Sequence, residues 1–330
     1  MRTVREVFWK GISKALPVFD LLLSPFTFLA AIWFYIIRKS GVRRAPLSRR
    51  IFLDIGVFPI RNHYYEPLFN AKEIRPTWKN RYLPGIDMNI GEQLSLLSQF
   101  GYAEELKQFP LNKNGSLRYY YNNSSFFAGD AEYLYSIIRL KKPKKIFEIG
   151  SGNSTLMALE AIKKNKANDS NYECKIVCIE PYEMPWLEKT AVEVVRKKVQ
   201  EMPHSFFDEL EENDILFIDS SHVIRPDGDV LFEYLEVLPL LKPGVLIHIH
   251  DIFTPADYPF ENYERDVVFI NEQYLVEAFL SLNKSFRIIG AVNYLKTNYI
   301  KELSEKCPMV TETNSMEPRS MWLVKAREER

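Results

Sequence analysis

The chain has 330 residues with 43 basic and 43 acidic side chains, and 46% of it is hydrophobic. The charge balance excludes a general attraction to nucleic acid, and the apolar content suffices for one large core with appendages. The three cysteines, Cys174, Cys178 and Cys307, cannot all pair and lack convergent metal-ligating neighbours, so they read as reduced thiols in a cytosolic compartment.

The N-terminal stretch is locally basic, with Arg2, Arg5, Lys10 and Lys14. Residues 21–37 then carry no charge, and residues 15–20 extend the apolar run with a single acid. Such a run lies at the lower edge of the roughly 17–25 residues that span a bilayer. Phe26, Phe28, Trp33, Phe34 and Tyr35 suit a membrane interface, and no small-residue cleavage site marks a removable signal. The basic cluster Arg38, Lys39, Arg43, Arg44, Arg49 and Arg50 follows and favours a cytoplasmic catalytic domain. Residues 1–50 are therefore expected to associate with a membrane through residues 15–37. Ser24-Pro25 leaves open a kinked, re-entrant or interfacial hairpin, and an apolar helix docked on the protein itself is the bland alternative.

Residues 41 to about 115 read as loop-rich, interrupted by Pro46, Pro59, Pro67, Pro76, Pro84 and Pro110. Leu94, Leu97 and Leu106 predict one amphipathic helix over 89–107. Residues 51–120 are expected to form a cap or a connector. There is no internal repeat.

From about residue 121 short apolar runs alternate with helical stretches, the signature of a doubly wound, mostly parallel α/β sheet. Helices are predicted over 131–140, 154–164, 186–195, 230–241 and 274–282, and strands over 146–149, 175–180, 215–219, 245–250, 286–295 and 320–325.

Four segments at strand ends carry chemistry. Glu148-Ile149-Gly150-Ser151-Gly152-Asn153-Ser154-Thr155 leaves a strand and opens a helix, where a parallel sheet binds its ligand. Gly150 and Gly152 permit a tight turn and close approach of a cofactor, and Ser154 or Thr155 can cap the helix or bond that ligand. Glu180 ends the next strand, where a carboxylate can accept both hydroxyls of a ribose. The third glycine of a dinucleotide loop would fall at Thr155, so the pyrophosphate pattern is incomplete. Asp219, with His222 just beyond it, and His250-Asp251 close two further strands and can converge over the sheet for proton transfer or for a hard divalent ion. His248 shares a face with His250 but lies deeper and reads as a core histidine. Tyr119-Tyr120-Tyr121 can line the ligand or belong to the core.

With these segments in this order, residues from about 120 to 325 resemble the class I S-adenosylmethionine (SAM)-dependent methyltransferases, and within them the small bacterial enzymes related to catechol O-methyltransferase. The resemblance rests on Glu148-Ile-Gly-Ser-Gly-Asn-Ser154, Glu180, Asp219-Ser-Ser-His222 and Leu241-Lys-Pro-Gly-Val-Leu-Ile-His-Ile-His-Asp251. It implies a seven-stranded Rossmann-like sheet and SAM held by Glu148, Gly150, Ser151, Gly152, Ser154, Glu180 and Asp219. It also implies a divalent ion, magnesium or similar, on Asp219, His250 and Asp251. His-Asp stands where relatives carry Asp-Asn, so His250 can equally be the base without a metal, with Asp219 and His222 as the other catalytic candidates. The expected activity is methyl transfer to a hydroxylated small molecule or a glycan. The alternatives are an NAD-dependent oxidoreductase on a similar fold and a non-catalytic SAM-binding protein.

Overall fold

The computed structural model describes residues 4–61, 65, 67, 69, 80–115, 117–182, 184–264, 268–313 and 316–327, with residues 4–14 described by their backbone alone. The chain divides into two compact units, Met1–Arg75 and Pro76–Arg330.

In the first unit, helix α1 (Val4–Ser40) runs unbroken through Pro17 and Pro25. The hairpin that Ser24-Pro25 left open is not formed. Proline at 25 withdraws the N–H that would bond the Leu21 carbonyl, and the Ser24 hydroxyl donates to that carbonyl instead, at 3.1 Å. Thr27 donates to Leu23 O in the same way, at 3.2 Å. Residues Ala15–Ser40 are long and apolar enough to cross a membrane, with a mean hydropathy of 1.8 and exposed side chains. Helix α2 (Pro46–Ile55) starts on a proline and stops at Gly56, whose left-handed conformation lets its N–H bond the Phe52 carbonyl.

The second unit is built on seven strands: β1 (Lys145–Ile149), β2 (Lys175–Ile179), β3 (Glu193–Val195), β4 (Ile215–Ile218), β5 (Leu246–Ile249), β6 (Phe286–Ala291) and β7 (Met321–Lys325). Their order is β3-β2-β1-β4-β5-β7-β6. The first five are parallel, and β7 runs antiparallel between β5 and β6. The chain leaves β1 for β2 on one side and later returns to β4 on the other. The sheet therefore has its switch point, and its natural crevice, at the carboxyl ends of β1 and β4. Both faces are covered, which is why these strands read as continuous apolar runs: Ile146, Ile215, Phe217 and Leu246 enter one core, and Phe147, Leu216, Ile218 and Ile247 the other.

Several expectations give way here. Residues 186–195, predicted as a helix, form a 3-10 turn (Leu187–Lys189) and edge strand β3, because Val192, Val194 and Val195 suit pairing on the open side of β2. The strand predicted over 286–295 ends at Ala291, and Val292–Asn298 is helical. The helix predicted over 89–107 is two, α3 (Ile90–Ser98) and α4 (Ala103–Leu106), separated by a turn containing Gly101. Leu96, Leu97, Phe100, Leu106, Tyr119 and Tyr121 lie in the core beneath α5 (Asp130–Lys141), and the unit boundary falls at residue 75. The Tyr119 and Tyr121 hydroxyls donate to the Phe126 and Leu106 carbonyls, so these two rings are structural. Residues 70–79 of the expected connector, Pro76 among them, lie outside the described residues.

Candidate active site

At the switch point β1 turns at Gly150, whose φ of +75° disfavours any residue with a side chain. A Cβ there would overlap the Asp219 carbonyl oxygen and come within 2.9 Å of its carbon. Glycine thus lets the β1 and β4 loops close together, and Asp219 N–H bonds Ile149 O at 2.9 Å. Glu148 fastens the loop from below. Its oxygens accept the Ser154 and Thr155 hydroxyls, each at 2.6 Å, and α6 (Asn153–Asn168) begins there. Burial raises the Glu148 carboxyl to about 7, although the Ser154 and Thr155 hydrogen bonds oppose the rise.

Above this tie, Gly150, Glu180, Asp219, Ser221, Arg225 and Asp229 line a cleft of about 240 Å³. Glu180 is turned into the bend, accepting Ser151 N–H at 3.3 Å and Tyr182 N–H at 3.0 Å. The glycine turn and the strand-end carboxylate therefore share one crevice. The Ser154 hydroxyl is committed to Glu148.

Asp219 also belongs to a cluster of charge. His222 Nε2 lies 3.1 Å from Asp219 Oδ1 and 3.4 Å from Asp251 Oδ2, while Nδ1 lies 2.7 Å from Glu272 Oε2. His222 and Asp251 both hold positive φ, +59° and +56°, uncommon conformations that turn these side chains toward each other. The loop is clamped by the helix Glu272–Leu280, since the Asn271 and Glu272 amides both bond His222 O. A π-helical turn (Glu233–Val237) aims Tyr234 OH at Glu272 Oε1 at 2.8 Å and lets Glu233 accept from Ser220 at 3.0 Å. Burial alone would lower the His222 pKa, but its hydrogen bonds to Asp219 and Glu272 and the charges of Glu272 and Asp251 carry it well above the ordinary value. Burial alone would raise Asp251, but the charges of His250, His222 and Arg319 hold it at about 2. Arg319 donates to Asp251 Oδ1 at 2.9 Å.

A family model described as a methyltransferase domain matches residues 147–252, which span β1 to the Asp251 turn. An uncharacterized protein of Archaeoglobus fulgidus is 34% identical over 175 residues, 48% of this chain and 77% of that protein. The chain belongs to the class I SAM-dependent methyltransferases. Among solved structures, an O-methyltransferase from Bacillus cereus in complex with SAH is 14% identical over 70% of this chain and 91% of that one, with a TM-score of 0.35. A SAM-dependent methyltransferase from Archaeoglobus fulgidus is 13% identical over 60% and 94%, with a TM-score of 0.31. The MycE methyltransferase of mycinamycin biosynthesis, in complex with Mg and SAH, is 12% identical over 59% and 49%, also at 0.31.

In this methyltransferase the oxidoreductase alternative falls away with the family assignment. Of the residues expected to hold an ion, the structure gathers Asp219 and Asp251 with His222 rather than with His250. Asp219, His222 and Asp251 offer ligand atoms that all lie within 4.8 Å of one another, and His250 is not among them. His250 is 2% exposed and packs against Phe126, 5.4 Å between ring centroids. Neither of its ring nitrogens has a hydrogen-bond partner among the described residues. His248 is the core histidine expected, stacked on Phe217 at 3.9 Å and bonded to Ser320 Oγ at 2.8 Å. Two oxygen donors and an imidazole fit a borderline ion such as manganese or iron at least as well as magnesium.

Glu272, Arg319 and Asp130 escaped the sequence reading. Asp130 accepts the Arg319 and Ser320 amides at 2.8–2.9 Å and so fixes Arg319 beside Asp251. Nothing in Asn271-Glu272-Gln273 or Pro318-Arg319-Ser320 marks them, because their roles exist only once the helix and β7 have docked.

Proposed function

We propose that this methyltransferase moves the methyl group of SAM to a hydroxyl oxygen of a small acceptor, with Asp219 receiving the proton. One observation carries the reading: Asp219 lines the cleft that begins at Gly150 and Glu180 and is also the entry to the His222 cluster. Glu180 would hold the ribose and the 150–152 bend the methionine end of SAM, which brings the sulfonium methyl toward Asp219. The acceptor oxygen attacks that carbon in line, the carbon–sulfur bond breaks, and SAH leaves as a neutral thioether. The donor is already activated by its charge, so the protein supplies proximity, alignment and removal of one proton. His222 holds the Asp219 carboxylate in place, and Glu272 holds His222.

Asp219, His222 and Asp251 would also bind a divalent ion, which when present lowers the pKa of an acceptor hydroxyl and orients it. A membrane-associated enzyme with a cytoplasmic catalytic unit is supported by α1 and the basic cluster behind it. A lipid-linked sugar is an acceptor that such a location would suit.

The test is methyl transfer from SAM to a panel of phenols and saccharides, with and without EDTA. Asp219→Asn keeps the shape and removes the base, so turnover should fall about 10²–10⁴-fold with SAH affinity retained. Turnover within a few-fold of the parent would refute the role of Asp219.

A further inference from the structure

Helix α2 has no part in this chemistry, yet it is built with care. Leu47, Ile51 and Ile55 recur every four residues and form one stripe, exposed by 78%, 53% and 69%. The neighbouring face is not free: Phe52 is buried, in edge contact with Phe34 of α1 at 5.3 Å and with Phe58 at 6.1 Å. The Arg38 guanidinium lies over the Phe58 ring at 5.2 Å and closes the same cluster. So α2 is locked side-on to the last turns of α1 while its apolar stripe faces outward.

Where that lock sits decides what the stripe meets. Phe34 is six residues before Ser40, about 9 Å along the helix at 1.5 Å per residue. Trp33 and Tyr35 flank it, both about half exposed, and such side chains settle at the headgroup level of a bilayer. The uncharged run of α1 is bounded by Asp20 and Arg38, so the lock lies within the last turn or so of that run. Residues 38–55 carry six cations, Arg38, Lys39, Arg43, Arg44, Arg49 and Arg50, against one acid, Asp54. Arg43, Arg44 and Arg50 are exposed.

Resting on the reading of α1 as membrane-associated, we propose that α2 is an interfacial anchor for an anionic lipid surface. The Leu47–Ile51–Ile55 stripe enters the boundary between headgroups and acyl chains, and Arg43, Arg44 and Arg50 meet the lipid phosphates. The arrangement fixes the depth and rotation of α1 where the chain leaves the bilayer.

The experiment uses the full chain with an environment-sensitive fluorophore on Ile51→Cys in a Cys174→Ser background. The remaining Cys178 and Cys307 are buried. A second variant, Leu22→Cys, reports α1. Both are reconstituted into vesicles of phosphatidylcholine with phosphatidylglycerol, or of phosphatidylcholine alone, doped with lipids brominated near the headgroup or deep in the chains. The expected result is quenching of the Ile51 label by the shallow bromines in anionic vesicles, weakened by salt. Arg43→Gln with Arg44→Gln should lower the ratio of docked to undocked label about thirtyfold, which is about 1 kcal/mol for each arginine. An Ile51 label left in water while Leu22 is quenched overturns the anchor and spares α1. If neither label is quenched, both readings fall. Protection of Ile51 that tracks protein concentration and ignores lipid charge assigns the stripe to a second copy and also overturns the proposal.

Discussion

Gly150→Ala tests the cleft geometry most directly. The residue sits at φ +75°, where an alanine costs roughly 1–2 kcal/mol relative to glycine. Its Cβ would also overlap the Asp219 carbonyl, a backbone group that cannot rotate aside, and such overpacking costs about 1–3 kcal/mol. The sum, about 2–5 kcal/mol, lies below the roughly 5–15 kcal/mol of a typical domain, so the variant should fold with a melting temperature lower by roughly 5–20 °C. The end of β4 must retreat to relieve the contact, and it carries Asp219 with it. A shift of about 1 Å there should reduce kcat/KM for methyl transfer about 10²-fold. Gly152→Ala is the control for stability, because Gly152 has φ −175° and a Cβ there meets nothing within 4 Å. Thermal melts, SAH titration and turnover of both variants supply the comparison. If Gly150→Ala melts like Gly152→Ala and turns over like the parent, the close approach of the β1 and β4 loops is wrong.

Glu148 has a folded pKa of about 7 against 4.5 when free, so the folded state binds the extra proton and stability should fall as pH rises from 4.5 to 7, by up to about 3 kcal/mol; denaturant titrations of Glu148→Gln across that window should show a flatter profile. Glu272→Ala strips His222 Nδ1 and Tyr234 OH of a buried acceptor, so chemical denaturation should report a loss of about 3–5 kcal/mol, and turnover should drop with SAH affinity little changed. Manganese at about 100 times its Kd should stabilise the protein by about 2.7 kcal/mol, an increment that Asp251→Asn removes in a calorimetric scan; equal stabilisation of that variant would place the ion elsewhere.

What the sequence disclosed was whatever short-range patterning controls. Strands β1, β2, β4 and β5 are buried apart from their first residues Lys145 and Lys175, so their apolar runs and polar ends could be read directly, and with them Gly150, Glu180, Asp219 and Asp251. The misreadings arose where a partner distant in sequence decides the outcome. Residues 193–195 become a strand because β2 has an open edge. Residues 90–121 enter the core because α5 needs a cover, a demand that no local period records. The histidines show the same limit. Alternation along β5 placed His250 near the strand end, but it could not reveal that Phe126 packs on the ring or that a left-handed turn brings His222 to Asp251 in its stead.

The late position of β7 has a consequence for biosynthesis. Synthesis delivers β6 before β7, yet β7 must slip between β5 and β6, and the residues just ahead of it supply the guanidinium for Asp251 and the hydroxyl for His248. A nascent chain still lacking this segment keeps an unpaired β5 border and leaves Asp251 to His222 and His250 without its guanidinium partner.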